Sequence, residues 1–555
     1  MLDRAVIDSL FPADLPEPEH WEQRYPPRQL PTGAEVTRFA PSPTGVMHIG
    51  SAYVATIDRD LAQHSGGRYL VRVEDTDQAR EVEGVLAQFA RAFDYLQIQP
   101  TEVEGYGPYQ QSARADIYLS YVRELLRRGA AYLCFATKED LAALTARQQA
   151  AQVPPGYHGR WALWRDAQPA AVLAELDRGT PYVVRFRAPE DAAGRRVRFT
   201  DAIRGELAHE ANRNDVVILK SSAQAPRLPT YHFAHAVDDH LMRVTLVIRG
   251  EEWISSVPLH LQLFDALGFA PPRYAHIAPL MKQIPGGKRK LSKRKDPEAG
   301  VDFYLEAGYP APAVLYYLRG LANGRLAELP LAEALAAPIK LAECGVAGPL
   351  VDLVKLADIS ADHIATLPGA EILAAVRAWA ARYDPELLAV LDVRRELALQ
   401  ALAVERDGVP NPRKDLRTWS DFRPAYGFFF PELFALVKRA DDERFGGLDP
   451  NLVHGFVTDL AESYRPLDDP RDWFDQIRQL AAKHGFAPSA KDYKKNPDAY
   501  PGSIREAAQL VRVLLTGSTR SPDLHAVATT LGPAEVQRRL RALSEPSAPP
   551  GRAQG

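Results

Sequence analysis

Two short runs far apart in the chain carry the residue types that nucleotide chemistry requires. The first is Pro41-Ser42-Pro43-Thr44-Gly45-Val46-Met47-His48-Ile49-Gly50-Ser51, a proline-stiffened loop that delivers a histidine to a helix start. The second is Lys290-Leu291-Ser292-Lys293-Arg294, which reads as a flexible basic loop with Gly286-Gly287 as its hinge. Transfer of an adenylyl group needs both parts: a backbone-lined pocket at a helix N-terminus to receive the phosphates, and mobile cations to neutralise charge as the α-phosphate is attacked. His48 with the backbone of Gly50 and Ser51 is the candidate for meeting the phosphates of ATP, and Lys290 and Lys293 for closing over the pyrophosphate. Each run has a plainer reading. His48 could simply cap a helix, and Lys282 to Lys295 could be a solvated basic turn or a generic RNA patch. The place of the basic run, after a resumed α/β pattern, favours the chemistry.

Such groups have to be held by a sheet. A strand ends at Phe39, a helix is expected from about Ile49 to His64, and Arg68 to Val73 reads as the next strand, with Gly66-Gly67 as the helix stop between them. This spacing favours a parallel, Rossmann-like doubly wound sheet. After Ala131 the texture changes. Tyr182 to Arg187, Val197 to Asp201 and Asp215 to Lys220 read as strands of an inserted α+β domain. The first pattern resumes at Pro229-Thr230-Tyr231, and the strand ending at Arg249 leads into a helix from about Val257 to Leu267. Beyond Pro330 Ala- and Leu-rich segments with helical spacing take over, such as Glu371 to Tyr383, Arg394 to Glu405 and Glu506 to Leu515.

Composition narrows the class. The 555 residues are 46% hydrophobic and 25% charged, ordinary for a globular protein, with a formal net charge of -4. Cys134 and Cys344 are the two cysteines, which excludes a disulfide framework and any cysteine-rich zinc module. The N-terminus has acids and prolines where a signal peptide needs an apolar core, and no run is long enough to span a bilayer. The expectation is a cytoplasmic protein without a membrane segment.

Taken together, the two runs resemble the two signatures of class I aminoacyl-tRNA synthetases. Arg38-Phe39-Ala40-Pro41-Ser42-Pro43-Thr44-Gly45 leading into His48-Ile49-Gly50 resembles the glutamyl branch in particular; the glutaminyl branch usually has Glu-Pro-Asn-Gly where this chain has Ser42-Pro43-Thr44-Gly45. Glu74-Asp75-Thr76-Asp77, Gly107-Pro108-Tyr109, Val237-Asp238-Asp239-His240 and Ile248-Arg249-Gly250-Glu251-Glu252-Trp253 are similar to further blocks of that branch, in order. The resemblance implies a catalytic set of His48, Gly50, Lys290, Ser292 and Lys293, and ATP contacts from His48, Gly50, Ser51 and Lys293. It implies an amino-acid pocket of Arg38, Ser42, Glu74, Tyr231, His235 and Arg249. The chemistry is consistent: a γ-carboxylate needs fixed guanidinium donors, and Glu74 suits an α-ammonium. For either arginine alone, a solvated strand end is the plainer reading. His235 stands where the family more often has asparagine, so a packed histidine at the pocket edge is an equal reading. Asp238-Asp239 is read as a structural and tRNA-positioning pair rather than a metal pair, and no zinc or other resident metal is expected.

The implied partners are ATP with Mg²⁺ as substrate, L-glutamate and tRNA(Glu), with tRNA(Gln) left open as a second acceptor, and the family suggests a monomer. The family also implies transfer to the 2′-hydroxyl and adenylate formation only with tRNA present. Arg185, Arg187, Arg195, Arg196, Arg198 and Arg204 are candidates for acceptor-stem phosphates. The expected order is an N-terminal extension (1–34), the first half of the catalytic domain (35–130), the acceptor-binding insert (131–220) and the second half (221–282). A basic loop and stem-contact region (283–345), two all-α anticodon-binding parts (346–430 and 431–545) and a disordered tail (546–555) complete it. The function implied is glutamate–tRNA ligation. The alternatives are glutamine–tRNA ligation and a catalytically silent tRNA-binding paralogue.

Overall fold

A computed structural model describes residues 2–77 and 82–544 of the chain; the expected tail at 546–555 lies outside them. Two compact units emerge, one from the residues up to Leu305 with Ala311–Asp352, the other from Glu306–Pro310 with the residues from Leu353 onward.

The first unit opens with helices α1 (Arg4–Ser9) and α2 (Pro18–Arg24). Ile7 of α1, with Phe11, Leu15 and Tyr25 from the flanking segments, is buried in the same apolar cluster as Tyr118, Phe233 and Phe264. The catalytic sheet then begins with β1 (Val36–Phe39), α3 (Ile49–His64), β2 (Arg68–Val71), α4 (Val85–Leu96) and α5 (Ala115–Arg127). β1 and β2 pair in parallel, Val36 opposite Arg68. All four residues of β1 are buried, as in a strand covered on both faces. The arm before β1 is tied to this core by polar bonds as well. Trp21 Nε1 donates to Ser120 Oγ at 2.9 Å, and Tyr25 Oη to the Gly107 carbonyl at 2.8 Å.

The chain continues through β3 (Ala131–Cys134), α6 (Lys138–Ala150), α7 (Pro169–Asp177), β4 (Val183–Phe186), β5 (Arg196–Asp201), β6 (Gly205–Glu210) and β7 (Val217–Leu219). It returns to the first sheet with α8 (Tyr231–Leu241), β8 (Leu246–Gly250), α9 (Val257–Leu267) and β9 (Arg273–Ile277), then forms β10 (Met281–Ile284) and β11 (Gly287–Lys290). β3, β4 and β7 make a separate antiparallel sheet. β5 and β6 do not join it, contrary to the expectation that Val197 to Asp201 belongs to the insert. They form a hairpin whose Asp201 pairs in parallel with Tyr274 on β9, so the hairpin extends the catalytic sheet. β8 pairs in parallel with β9. β8 is joined to β1 where Thr245 N–H donates to the Val36 carbonyl and Val36 N–H to Thr245 Oγ1, each at 2.9 Å.

Two further expectations are corrected in this unit. Arg185 is not available to an acceptor stem: it is buried, donates to Cys134 Sγ (3.3 Å) and the Asp215 carbonyl (2.8 Å), and lies over the Tyr157 ring. The basic run is also not a loose loop. Lys290 ends β11, which pairs antiparallel with β10 around a turn at Gly286, whose φ of 84° suits glycine. Met281 ties this hairpin down by accepting from Val351 N–H and donating to the Pro349 carbonyl.

In the second unit the described residues contain helices and no strand. Gly369–Tyr383, Arg395–Ala403 and Ile504–Thr516 are helical, and Pro533 opens the helix to Ser544. One continuous apolar cluster runs from Ile364 to Leu543, with Trp473, Phe422 and Leu514 in it, so the expected division at 430/431 is not a break in the core. No helix among the described residues is long and apolar enough to cross a membrane.

Candidate active site

A cavity of about 670 Å³ opens beyond the carboxyl ends of β1, β2, β8 and β9, where parallel sheets bind ligands. Its lining includes Arg38, Ser42, His48, Gly50, Ser51, Glu74, Tyr231, Arg249, Lys290 and Lys293. Residues from both motif runs therefore face one space.

At one side stands the start of α3. His48 caps it, Nδ1 accepting from Gly50 N–H at 2.8 Å. The ring also hydrogen-bonds to the Leu291 backbone, so the first run holds the second. Burial, followed by the charge of Lys293, keeps this imidazole below its ordinary pKa and therefore neutral. A Cβ at position 50 would come within 2.9 Å of Nδ1, which is why glycine follows. The capping role weighed for His48 is thus present, and it places the open helix end against the cavity. Lys290 reaches across to Glu252 at 3.1 Å. Asp296 anchors the turn after β11: it takes two bonds from Arg289 (2.6 and 2.7 Å), one from Lys282 (3.0 Å) and the Ser292 N–H (2.9 Å). Ser292, expected in the catalytic set, is not among the residues that line the cavity; its backbone N–H is engaged by Asp296.

The other side is built on a buried network of charges. Arg38 Nε bridges both oxygens of Asp239 at 3.2 Å. Arg72 donates to Asp239 at 2.5 Å and lies 3.2 Å from Glu74. On the same helix Asp238 accepts from Arg114 Nε (2.7 Å), Tyr118 Oη (2.8 Å) and Gln111 Nε2 (2.8 Å). Both aspartates are sealed from solvent, so neither reaches tRNA directly, and what their contacts show is the structural part of the expected role. Asp239 is held well below the usual carboxylate range, Arg38 and Arg72 overcoming the cost of burial. Glu74 is pushed up to about 7, because burial outweighs its two arginine neighbours.

His235 lies outside the lining, in keeping with the packed reading and not with a direct place in the amino-acid pocket. It sits one helical turn on from Tyr231, stacked beneath that ring at 6.1 Å, with Nδ1 2.8 Å from Asp239. Burial pushes it down to about 4, so it packs as a neutral support. Tyr231 in turn meets Trp253 at 4.6 Å. Sequence reasoning missed Arg72, Asp296, His260 and His276. Arg72 stands in the predicted second strand, and an acid directly after a basic run marks Asp296. Nothing in the order of residues points to the two histidines.

Comparisons with known proteins follow the same lines. Residues 35–334 match the family of class I tRNA synthetases (E and Q), catalytic domain, and residues 502–544 match an anticodon binding domain. The chain is 39% identical to a glutamate–tRNA ligase of Sorangium cellulosum, over 95% of this chain and 98% of that one. It is 39% identical to that of Clostridium perfringens, over 96% and 99%. Among solved structures, a glutamate tRNA ligase from Elizabethkingia meningosepticum in complex with its amino acid aligns with a TM-score of 0.73 at 27% identity, covering 91% of this chain and 98% of that one.

Proposed function

The chain belongs to the class I tRNA synthetases of the glutamate and glutamine branch, and we propose on that premise that it is a glutamate–tRNA ligase whose active site is the cavity described. ATP, with Mg²⁺ as its companion, enters against the start of α3, near Gly50 and Ser51. Lys290 releases Glu252 and, with Lys293, covers the β- and γ-phosphates. The amino acid lies toward Arg38, Tyr231 and Arg249, its side-chain carboxylate on Arg249 and its ammonium toward Glu74. Its α-carboxylate attacks the α-phosphorus, the bond to the bridging oxygen breaks, and pyrophosphate leaves with the electron pair. The terminal ribose hydroxyl of tRNA then attacks the acyl carbon and releases AMP. No covalent enzyme intermediate is involved, so rate comes from positioning and charge neutralisation.

The observation that carries this reading is Arg249: a buried guanidinium on the cavity wall with no carboxylate partner among the described residues. An anionic side chain suits that guanidinium and a carboxamide does not. The helical second unit supports tRNA as the acceptor. We place the enzyme in the cytoplasm as a monomer, with tRNA(Glu) as the acceptor.

Charging of purified tRNA(Glu) and tRNA(Gln) with labelled glutamate or glutamine, ATP and Mg²⁺ tests it. Glutamate on tRNA(Glu) alone is the expected result. Glutamate on both acceptors extends the substrate range to tRNA(Gln). Glutamine incorporation, or no charging, overturns the reading.

A further inference from the structure

Arg249 is held unlike the other buried arginines around it. Arg38 and Arg72 lean on Asp239, and Arg114 on Asp238. Arg249 makes no ion pair among the described residues. Its hydrogen-bonding neighbours are two imidazoles: Nε donates to His276 Nε2 at 3.0 Å, and Nη2 lies 3.3 Å from His260 Nδ1. Nη1 is buried and has no hydrogen-bond partner, on a residue that lines the cavity.

The protons on both rings follow from these contacts. A nitrogen that faces an N–H donor has to present its lone pair. His276 therefore carries its proton on Nδ1, 2.6 Å from Asp201 Oδ2. Asp201 also accepts from the backbone N–H groups of Ile203, Arg204 and His276, each at 3.0 Å. His260 carries its proton on Nε2, 2.9 Å from His232 Nδ1. Burial first, and the Arg249 charge with it, lowers the pKa of both rings, and His232 is pushed down to about 4. The two acceptors are neutral.

We propose that His276 and His260 are positioning residues that fix Arg249 through neutral acceptors, leaving its charge and its Nη1 edge to the side-chain carboxylate of the substrate. The proposal rests on the glutamate–tRNA ligase reading and names what makes that pocket prefer a carboxylate to a carboxamide. A carboxylate in place of either imidazole would orient the guanidinium equally well, but it would also neutralise the charge that the substrate has to meet. With the charge intact, a bound carboxamide leaves a buried cation uncompensated, and discrimination of this kind is large because the penalty falls on the wrong substrate.

Glutamate charging by the unaltered enzyme establishes the reading, and its failure would be seen before any variant is made. The variants then test the proposal alone. His260→Glu should raise KM for glutamate by about tenfold or more and lower the preference for glutamate over glutamine by a similar factor, with KM for ATP and tRNA within about threefold. His260→Gln, which restores a neutral acceptor, should recover most of that loss. A second pair stands in if the first does not fold: His276→Leu should raise KM for glutamate selectively, and His276→Gln should bring it back. Equal impairment of the acidic and amide variants, an unaltered KM for glutamate in His260→Glu or His276→Leu, or a matching rise in KM for ATP would overturn the proposal.

Discussion

At Glu74 two guanidiniums draw the carboxyl toward ionisation while enclosure opposes it, and enclosure prevails, raising its pKa from 4.5 to about 7. Between those two values the folded protein binds a proton that the unfolded chain has released, so this group's contribution to stability falls as pH rises through the window. Glu74→Gln removes that term. Denaturant unfolding at pH 5 and pH 7.5 should show the variant gaining on the parent at the higher pH, and a pH-independent difference would refute the assignment. Arg249→Ala removes the cation that meets the substrate carboxylate. We expect kcat/KM for glutamate to drop at least about a hundredfold while filter-binding affinity for tRNA stays unchanged. Arg38, Ser42, Glu74, Tyr231 and Arg249 all line the cavity; the family resemblance supplied that set, and strand ends by themselves pointed only to Arg38 and Arg249. Between the two readings of His235 the sequence could not choose; one turn on from Tyr231, the helix hides it beneath its neighbour. Ser292 stands outside the lining, in the turn that Asp296 anchors through the Ser292 N–H.

Helix α8 shows how an element with two adjacent acids can be a core element. Asp238 faces Arg114 and Tyr118, Asp239 faces Arg38, and Arg72 lies against both, so the pair joins α8 to α5, to β1 and to the end of β2. Asp238→Ala would leave Arg114 buried without its counter-charge, at a cost of about 3–5 kcal/mol, read as a lowered calorimetric transition of the first unit. The β10–β11 hairpin makes a different contribution: it brings Lys290 and the turn holding Lys293 to the cavity as one rigid piece, anchored through Asp296. Lys293→Ala should slow charging by about 10²–10³, measured under saturating glutamate. Strand and helix bounds here were readable from periodicity and from stops such as Gly66-Gly67. The partner of β5 was not, because alternation marks a strand without saying which sheet edge receives it. The Lys290 segment was read as a loop because its charges hide a strand, whose partner β10 is in turn held by residues around 350.

The molecule as a whole has two compact units, each with its own apolar core. Calorimetry should therefore resolve two transitions. ATP with a non-reactive glutamate analogue should raise only the one that Asp238→Ala lowers, by about 2.7 kcal/mol of stabilisation at a hundredfold excess over Kd; an equal rise in both would contradict the placement of the site. The bond between Val36 and Thr245 spans 209 positions of sequence. On a ribosome adding about 5–20 residues per second, β1 waits roughly 10–40 s for that neighbour to be made. Through that interval β2 can pair with one edge of β1 while the other lacks its final neighbour, so the crossover that builds the crevice also lengthens the time for which the growing chain has an unpaired strand edge.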